Sequence, residues 1–255
     1  MISDFFEIFL LSIIQGVSEF IPVSSTAHLV LATNIYEFKN QSLLIDISLH
    51  LGSLLAILFY FKDDIFNFNK NKNLFYKIII GTIPLIIIGY FLYVTNIIDY
   101  FRNIKVIAWA TLFFGILLYI ADKNKFLKKI DTDFNMKSVL IIGFFQVLAL
   151  IPGVSRAGIT ITAGRILGFD RTDSTKISFY LSIPALLGAS TLGIKDLFKE
   201  NIDFNLLVLV GVFLSFLFSL ITIKIFFKFI KNFSLNVFVI YRIFLAIILF
   251  YIIYF

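Results

Sequence analysis

Apolar runs close to membrane-crossing length recur along the whole chain: residues 43–61, 78–97, 106–121, a span ending near Ile194, then 204–223 and 235–255. A helix needs about 20 such residues to cross the hydrocarbon core of a bilayer. The chain is 60% hydrophobic and 15% charged, whereas soluble domains average roughly 45–50% and 25%. An all-α polytopic membrane protein follows, with residues 1–255 forming a single integral membrane domain. The opening residues Met1-Ile2-Ser3-Asp4 have no basic segment and Glu7 falls in the first apolar run, which argues against a cleaved signal peptide. Cysteine is absent, which excludes disulfides, thiolate nucleophiles and cysteine metal sites. The net charge of +6 comes from Lys and Arg in short loops between spans; membrane orientation explains it and nucleic-acid binding does not. The 33 phenylalanines read as lipid-facing bulk or core.

One stretch breaks this pattern. Gln15-Gly16-Val17-Ser18-Glu19-Phe20-Ile21-Pro22-Val23-Ser24-Ser25-Thr26-Ala27-His28 places a carboxylate, an imidazole, four hydroxyls and a proline inside the apolar run 5–36. A charge at bilayer depth costs about 2.5–3.5 kcal/mol on insertion scales, so a straight helix is implausible. Two half-helices meeting at a break are expected. Pro22 suits a helix start, so the N–H groups and positive dipole end of the following half-helix would point into the break and favour an anion. Gln15 and Glu19, spaced i and i+4, share a face, and so do Ser24 and His28.

The second half repeats the first. Gln15 to Ala27 answers to Gln146 to Ala157, and Asp46-Ile47-Ser48 answers to Lys176-Ile177-Ser178. Pro22 to Pro152 and Ser48 to Ser178 share an offset of 130. The expected architecture is an inverted repeat, about 1–125 and about 135–255, each half a broken re-entrant hairpin plus three transmembrane helices. Loops 62–77, 122–137, 165–176 and 224–231 carry 15 Lys or Arg, and the opposite side carries 5, namely Lys39, Arg102, Lys105, Lys195 and Lys199. The positive-inside rule puts the basic side in the cytoplasm. Both termini and the first hairpin mouth then face outward, the second hairpin opens inward, and the breaks meet near the midplane. In the second hairpin, Pro152-Gly153 precedes Ser155, Arg156 and Thr160, adding a guanidinium suited to phosphate.

Several bland readings stand beside these. Asp46 caps the start of its span, and His50, one turn on, packs or hydrogen-bonds. Gly143, Gly153, Gly158, Gly164 and Gly168 read as close helix contacts.

The two motifs, Gln15 to His28 and Pro152-Gly-Val-Ser155-Arg156-Ala-Gly-Ile-Thr160, resemble the two signatures of the bacterial undecaprenyl-diphosphate phosphatases, the BacA-type family. The resemblance extends over essentially the whole chain. It implies removal of the terminal phosphate from the C55 lipid undecaprenyl diphosphate in the bacterial cytoplasmic (inner) membrane. That reaction recycles the carrier for peptidoglycan and other wall polymers and confers resistance to bacitracin. It also implies a divalent cation, Mg2+ or Ca2+, held by Glu19 with Gln15. Ser25 is then the first choice as nucleophile, with His28 as base and later acid and Arg156 as the phosphoryl-stabilising cation. Ser24, Thr26, Ser155, Thr160 and Gln146 are the remaining substrate-binding residues, and Ser24 is the second choice of nucleophile. A metal-activated water is the competing route. A homodimer is compatible with this reading. Ala157 stands where the family usually has serine, and Gln15 where many members have glutamate. A secondary transporter or flippase of prenyl phosphates, which also uses inverted repeats with broken helices, is the alternative.

Overall fold

A computed structural model describes residues 2–35, 43–123, 128–200 and 206–254. Expectations for residue 36, Lys39, Lys125, Phe204 and Phe255 fall outside these residues. The helices are α1 (Ile2–Ser18), α2 (Ser25–Ile35), α3 (Leu43–Tyr60), α4 (Lys62–Phe66), α5 (Phe68–Val94), α6 (Ile98–Phe101), α7 (Ile104–Asp122) and α8 (Ile130–Asp133). After them come α9 (Met136–Val147), a 3-10 turn at Leu148–Leu150, α10 (Arg156–Ile166), α11 (Arg171–Glu200), α12 (Leu206–Asn232) and α13 (Asn236–Tyr254). Among the described residues the β-type pairing is a single isolated bridge, Lys128 with Phe169. Among the described residues five helices are long and apolar enough to cross a membrane: Asn71–Val94, Ile104–Asp122, Arg171–Ile194, Leu206–Asn232 and Asn236–Tyr254. The apolar stretches Leu44–Tyr60 and Met136–Leu150 are shorter. The chain is therefore a multi-pass, all-helical membrane protein.

Two segments read as loops are helical. Most of residues 62–77 lies in α4 and the start of α5, and all of 224–231 lies inside α12. Hydropathy marks where the bilayer ends, not where the helix ends. Lys and Asn cost a helix only a few tenths of a kcal/mol per residue, so a helix that packing has already nucleated runs on into water.

Helix packing has a repeating logic. α12 lies against α1 and α3, while α5 lies against α9 and α11, and α7 pairs with α13. Close approach is made possible by small residues. A Cβ on Gly52 would sit 2.4 Å from Val212 O, and one on Gly143 would sit 2.2 Å from Gly81 O. Beside Gly52, Ser53 Oγ lies 3.2 Å from Ser215 Oγ and 3.0 Å from Ser219 Oγ, so polar groups glue α3 to α12. Gly153 makes the close contact read in the sequence, since a Cβ there would sit 2.5 Å from Ile107 O, and Gly153 and Gly168 also take positive φ, at 95° and 96°, a conformation open to glycine without steric penalty.

Phenylalanines divide as expected between core and lipid-facing surface. Phe20, Phe61, Phe179, Phe226 and Phe227 join Tyr180 in one buried cluster, whereas Phe113, Phe213 and Phe244 are exposed. At one end of the bundle buried Asp122 gathers four elements. Arg171 grips it bidentately at 2.8 and 2.9 Å, Arg165 Nε lies 3.2 Å away, and the backbone N–H of Leu235 donates to it at 3.1 Å.

Candidate active site

Each broken hairpin turns at a serine with a left-handed backbone. Ser24 has φ 78° and Ser155 φ 69°, and each immediately precedes a helix of 11 residues, α2 and α10. Ser24 Oγ accepts from Ala27 N at 3.4 Å, and Ser155 Oγ accepts from Gly158 N at 3.1 Å. These are N-cap bonds, and they hold the first turn of each helix so that its remaining free N–H groups face the break. The two caps are 131 residues apart, not 130 as the prolines suggest, because Pro152 stands one residue farther from its cap than Pro22 does.

The tips of the two breaks meet. Arg156 Nη2 donates to Glu19 Oε1 at 2.6 Å, in an ion pair whose side chains are 13% and 10% exposed. The other carboxylate oxygen, Glu19 Oε2, accepts from Gln15 Nε2 at 3.0 Å, as the i, i+4 spacing allows. Arg156 is steered from behind: its Nη1 donates to Ser178 O at 3.2 Å, and its guanidinium sits 6.0 Å from the centre of the Phe20 ring. Thr160 is fully buried; its hydroxyl donates to Arg156 O at 2.8 Å and lies 2.7 Å from Ser178 Oγ. Thr160 thus braces the helix turn that carries Arg156. Gln146 is fully buried, and neither of its side-chain polar atoms has a hydrogen-bond partner among the described residues.

His28 reaches in two directions. Its Nδ1 lies 2.6 Å from Ser24 O and its Nε2 lies 2.6 Å from Tyr241 Oη. A carbonyl only accepts, so Nδ1 carries the proton and the basic lone pair sits on Nε2. Among the described residues no hydrogen bond joins His28 to Ser25; Ser25 and Thr26, in the first turn of α2, are half-buried. Ser24 and Ala157 are buried. His50 Nδ1 bonds Asp46 O within its own helix at 2.7 Å, in keeping with the bland reading of that residue.

The sequence reading left Arg242 unassigned, yet it is a structural centre of the second turn. Fully buried on α13, it donates to Gly153 O and Val154 O at 3.0 Å each, to Thr111 O at 3.1 Å and to Ala110 O at 3.4 Å. Among the described residues no carboxylate pairs with it. Every acceptor is a carbonyl, so the guanidinium ties α7 to the second hairpin. An arginine inside a membrane helix is a functional-site signal by default, and that signal was visible in the sequence at residue 242.

The two breaks carry a carboxylate and an amide at the end of α1, an imidazole and hydroxyls in the first turns of α2, and a guanidinium at the start of α10. Such a set handles anions, and phosphate fits the planar fork of Arg156. For a divalent cation the donors are few. Among the described residues no three His, Cys, Asp or Glu cluster, which rules out an all-protein cage there. One carboxylate with an amide oxygen nevertheless suits Mg2+, which takes one or two carboxylates and fills its shell with phosphate oxygens and water.

The family model described as Bacitracin resistance protein BacA matches residues 8–248. An undecaprenyl-diphosphatase of Pelagibacter ubique (strain HTCC1062) is 56% identical over 255 residues, covering 100% of both chains. One of Elusimicrobium minutum (strain Pei191) is 41% identical, covering 94% of this chain and 95% of its own. One of Jannaschia sp. (strain CCS1) is 36% identical, covering 96% and 97%. With a family model spanning nearly its whole length and relatives matched end to end, this chain belongs to the BacA family of bacitracin resistance proteins.

Proposed function

We propose that this protein hydrolyses undecaprenyl diphosphate to undecaprenyl phosphate and inorganic phosphate at the outer face of the bacterial inner membrane. The observation that carries the reading is the 2.6 Å contact between Glu19 and Arg156, which joins the tips of two breaks 137 residues apart in sequence. Ionisable residues within membrane segments are costly to bury and mark functional sites by default. The names of the full-length relatives point to the same lipid.

In this reading the helices form two inverted repeats, supported by the shared capped turns and by α12 and α5 playing matching roles against α1 and α9. The terminal phosphate docks against the N-termini of α2 and α10. Arg156 moves one N–H from Glu19 to a phosphoryl oxygen and stabilises the charge that develops in the transition state. Ser24, Thr26 and Ser155 border the same turns, Thr160 keeps Arg156 aimed, and Gln146 offers the amide whose hydrogen bonds are unfilled. Ser25 Oγ attacks the terminal phosphorus. The bond to the bridging oxygen breaks, and undecaprenyl phosphate leaves. His28 accepts the serine proton at Nε2, passes it to the departing phosphate as acid, and then takes a proton from the water that attacks the phosphoserine and releases inorganic phosphate, returning it to Ser25 Oγ. A divalent cation held by Glu19 and by Gln15 with its amide turned over would neutralise charge on the diphosphate.

The test is phosphate release from a C55 diphosphate by purified protein in detergent, with and without a chelator. Release that needs Mg2+ or Ca2+ and fails in Glu19→Ala is expected. No release in either metal, with Glu19→Ala equal to wild type, would leave prenyl-phosphate transport as the better account, which the repeated broken hairpins also suit.

A further inference from the structure

α13 sends two consecutive side chains to the two halves of the site. Tyr241 bonds His28 on the first hairpin at 2.6 Å, and Arg242 bonds Gly153 and Val154 on the second at 3.0 Å. The rings of Tyr241 and His28 are stacked, 5.5 Å between centres and 6° between planes. Because Nδ1 is committed to Ser24 O, Nε2 must accept, and the phenol is the donor. The contact is not left to a mobile surface side chain. Four carbonyls anchor Arg242, so the turn of α13 that carries Tyr241 has a fixed height and rotation relative to the second hairpin.

We propose that Tyr241 is a positioning residue for His28. With the tautomer set by Ser24 O, its hydroxyl aims the Nε2 lone pair until Ser25 Oγ donates there in its place, and its ring fixes the imidazole plane, so that the base is set in register with the turn anchored through Arg242. The inference rests on the reading of His28 as the base of the phosphatase. Nothing in the spacing of the motifs announces it, since the two residues lie 213 apart in sequence.

Tyr241 is 41% exposed, so Tyr241→Phe keeps the stacked ring and removes only the hydroxyl, at little risk to folding. The chain has two histidines, and protein labelled with 15N in the imidazoles and purified in detergent gives a spectrum that His50→Gln assigns. Wild type is expected to show His28 protonated on Nδ1 with Nε2 hydrogen-bonded. In Tyr241→Phe the Nε2 resonance should move toward that of a free ring nitrogen. In the C55 diphosphate assay kcat should fall roughly 3- to 10-fold with KM unchanged, the size expected for one lost hydrogen bond. Tyr241→Ala, which also removes the stack, should lose more. An unmoved Nε2 resonance overturns the proposal, and so does a moved resonance with kcat unaltered. Full activity in His28→Ala would instead defeat the reading of His28 as base, and the spectrum separates the two failures.

Discussion

The two hairpin tips use one backbone device and different side chains. Both turn at a positive-φ serine that caps an 11-residue helix. The first tip then presents Glu19 and His28, and the second presents Arg156. Their anchoring differs as well. The second turn is fastened by Arg242 through two of its carbonyls and by Thr111, whose hydroxyl donates to Gly153 O at 3.3 Å. The Ser24 carbonyl of the first turn meets a titratable imidazole. On the proposed reading, one scaffold is divided between an anion receptor fastened by Arg242 and a half carrying the groups that gain and lose protons.

The sharpest way to break this comparison is to disarm the receptor. Arg156→Ala should lower kcat/KM at least about 100-fold, the scale of losing a preorganised donor to the transition state. Arg156→Lys should recover only part, because a point charge does not replace a fork; phosphate release kinetics that return to wild type would refute it. On the other tip, Glu19→Gln keeps the shape and removes the charge. It should lower kcat/KM by about 10- to 100-fold and raise the metal concentration for half-maximal rate, read from a titration of activity against Mg2+.

The caps give a smaller and more graded comparison. Ser155→Ala should destabilise the protein by about 1 kcal/mol, because it removes a cap bond and leaves alanine at positive φ. Ser24→Ala should lose less, its cap bond being 3.4 Å against 3.1 Å. Thermal unfolding of the two variants in one detergent checks the order. The smallest effect concerns the paired amides. Gln15 has Glu19 to bond, and Gln146 has no partner among the described residues. Gln146→Leu removes an unsatisfied buried group, so stability should rise by about 1 kcal/mol, while activity should drop if that amide meets the lipid diphosphate. Unchanged activity would make Gln146 an ordinary buried residue.

Much of this was legible before the structure. Pro22 and Pro152, with their hydroxyl runs, located both breaks, because a proline and several hydroxyls cannot sit unremarked in an apolar run. Glu19 and Arg156 were expected from opposite hairpins, and they touch. What escaped had identifiable physical causes. The ends of α5 and α12 were invisible because hydropathy reports the bilayer boundary and helix propensity is nearly indifferent to it. Ser178 as a support for Arg156, and Tyr241 as the partner of His28, depend on contacts 22 and 213 residues apart, which no local spacing encodes. Arg242 could have been found, since a lone cation amid Val237 to Leu249 demands acceptors. That those acceptors are all carbonyls was a matter of packing. The one-residue shift between cap and proline was hidden because aligning the prolines put Gly153 opposite Val23.

The Asp122 cluster has a consequence for biogenesis. Arg165 and Arg171 follow Asp122 within fifty residues, but the Leu235 N–H that completes the carboxylate's hydrogen bonds comes 113 residues later. At about 5–20 residues per second of synthesis, that interval is on the order of 6–23 seconds. The stretch from Leu235 to Arg242 therefore closes both this carboxylate and, through Arg242, the turn at Gly153 and Val154. A nascent chain halted before Leu235 would have Asp122 held by Arg165 and Arg171 alone and the carbonyls of Gly153 and Val154 without Arg242.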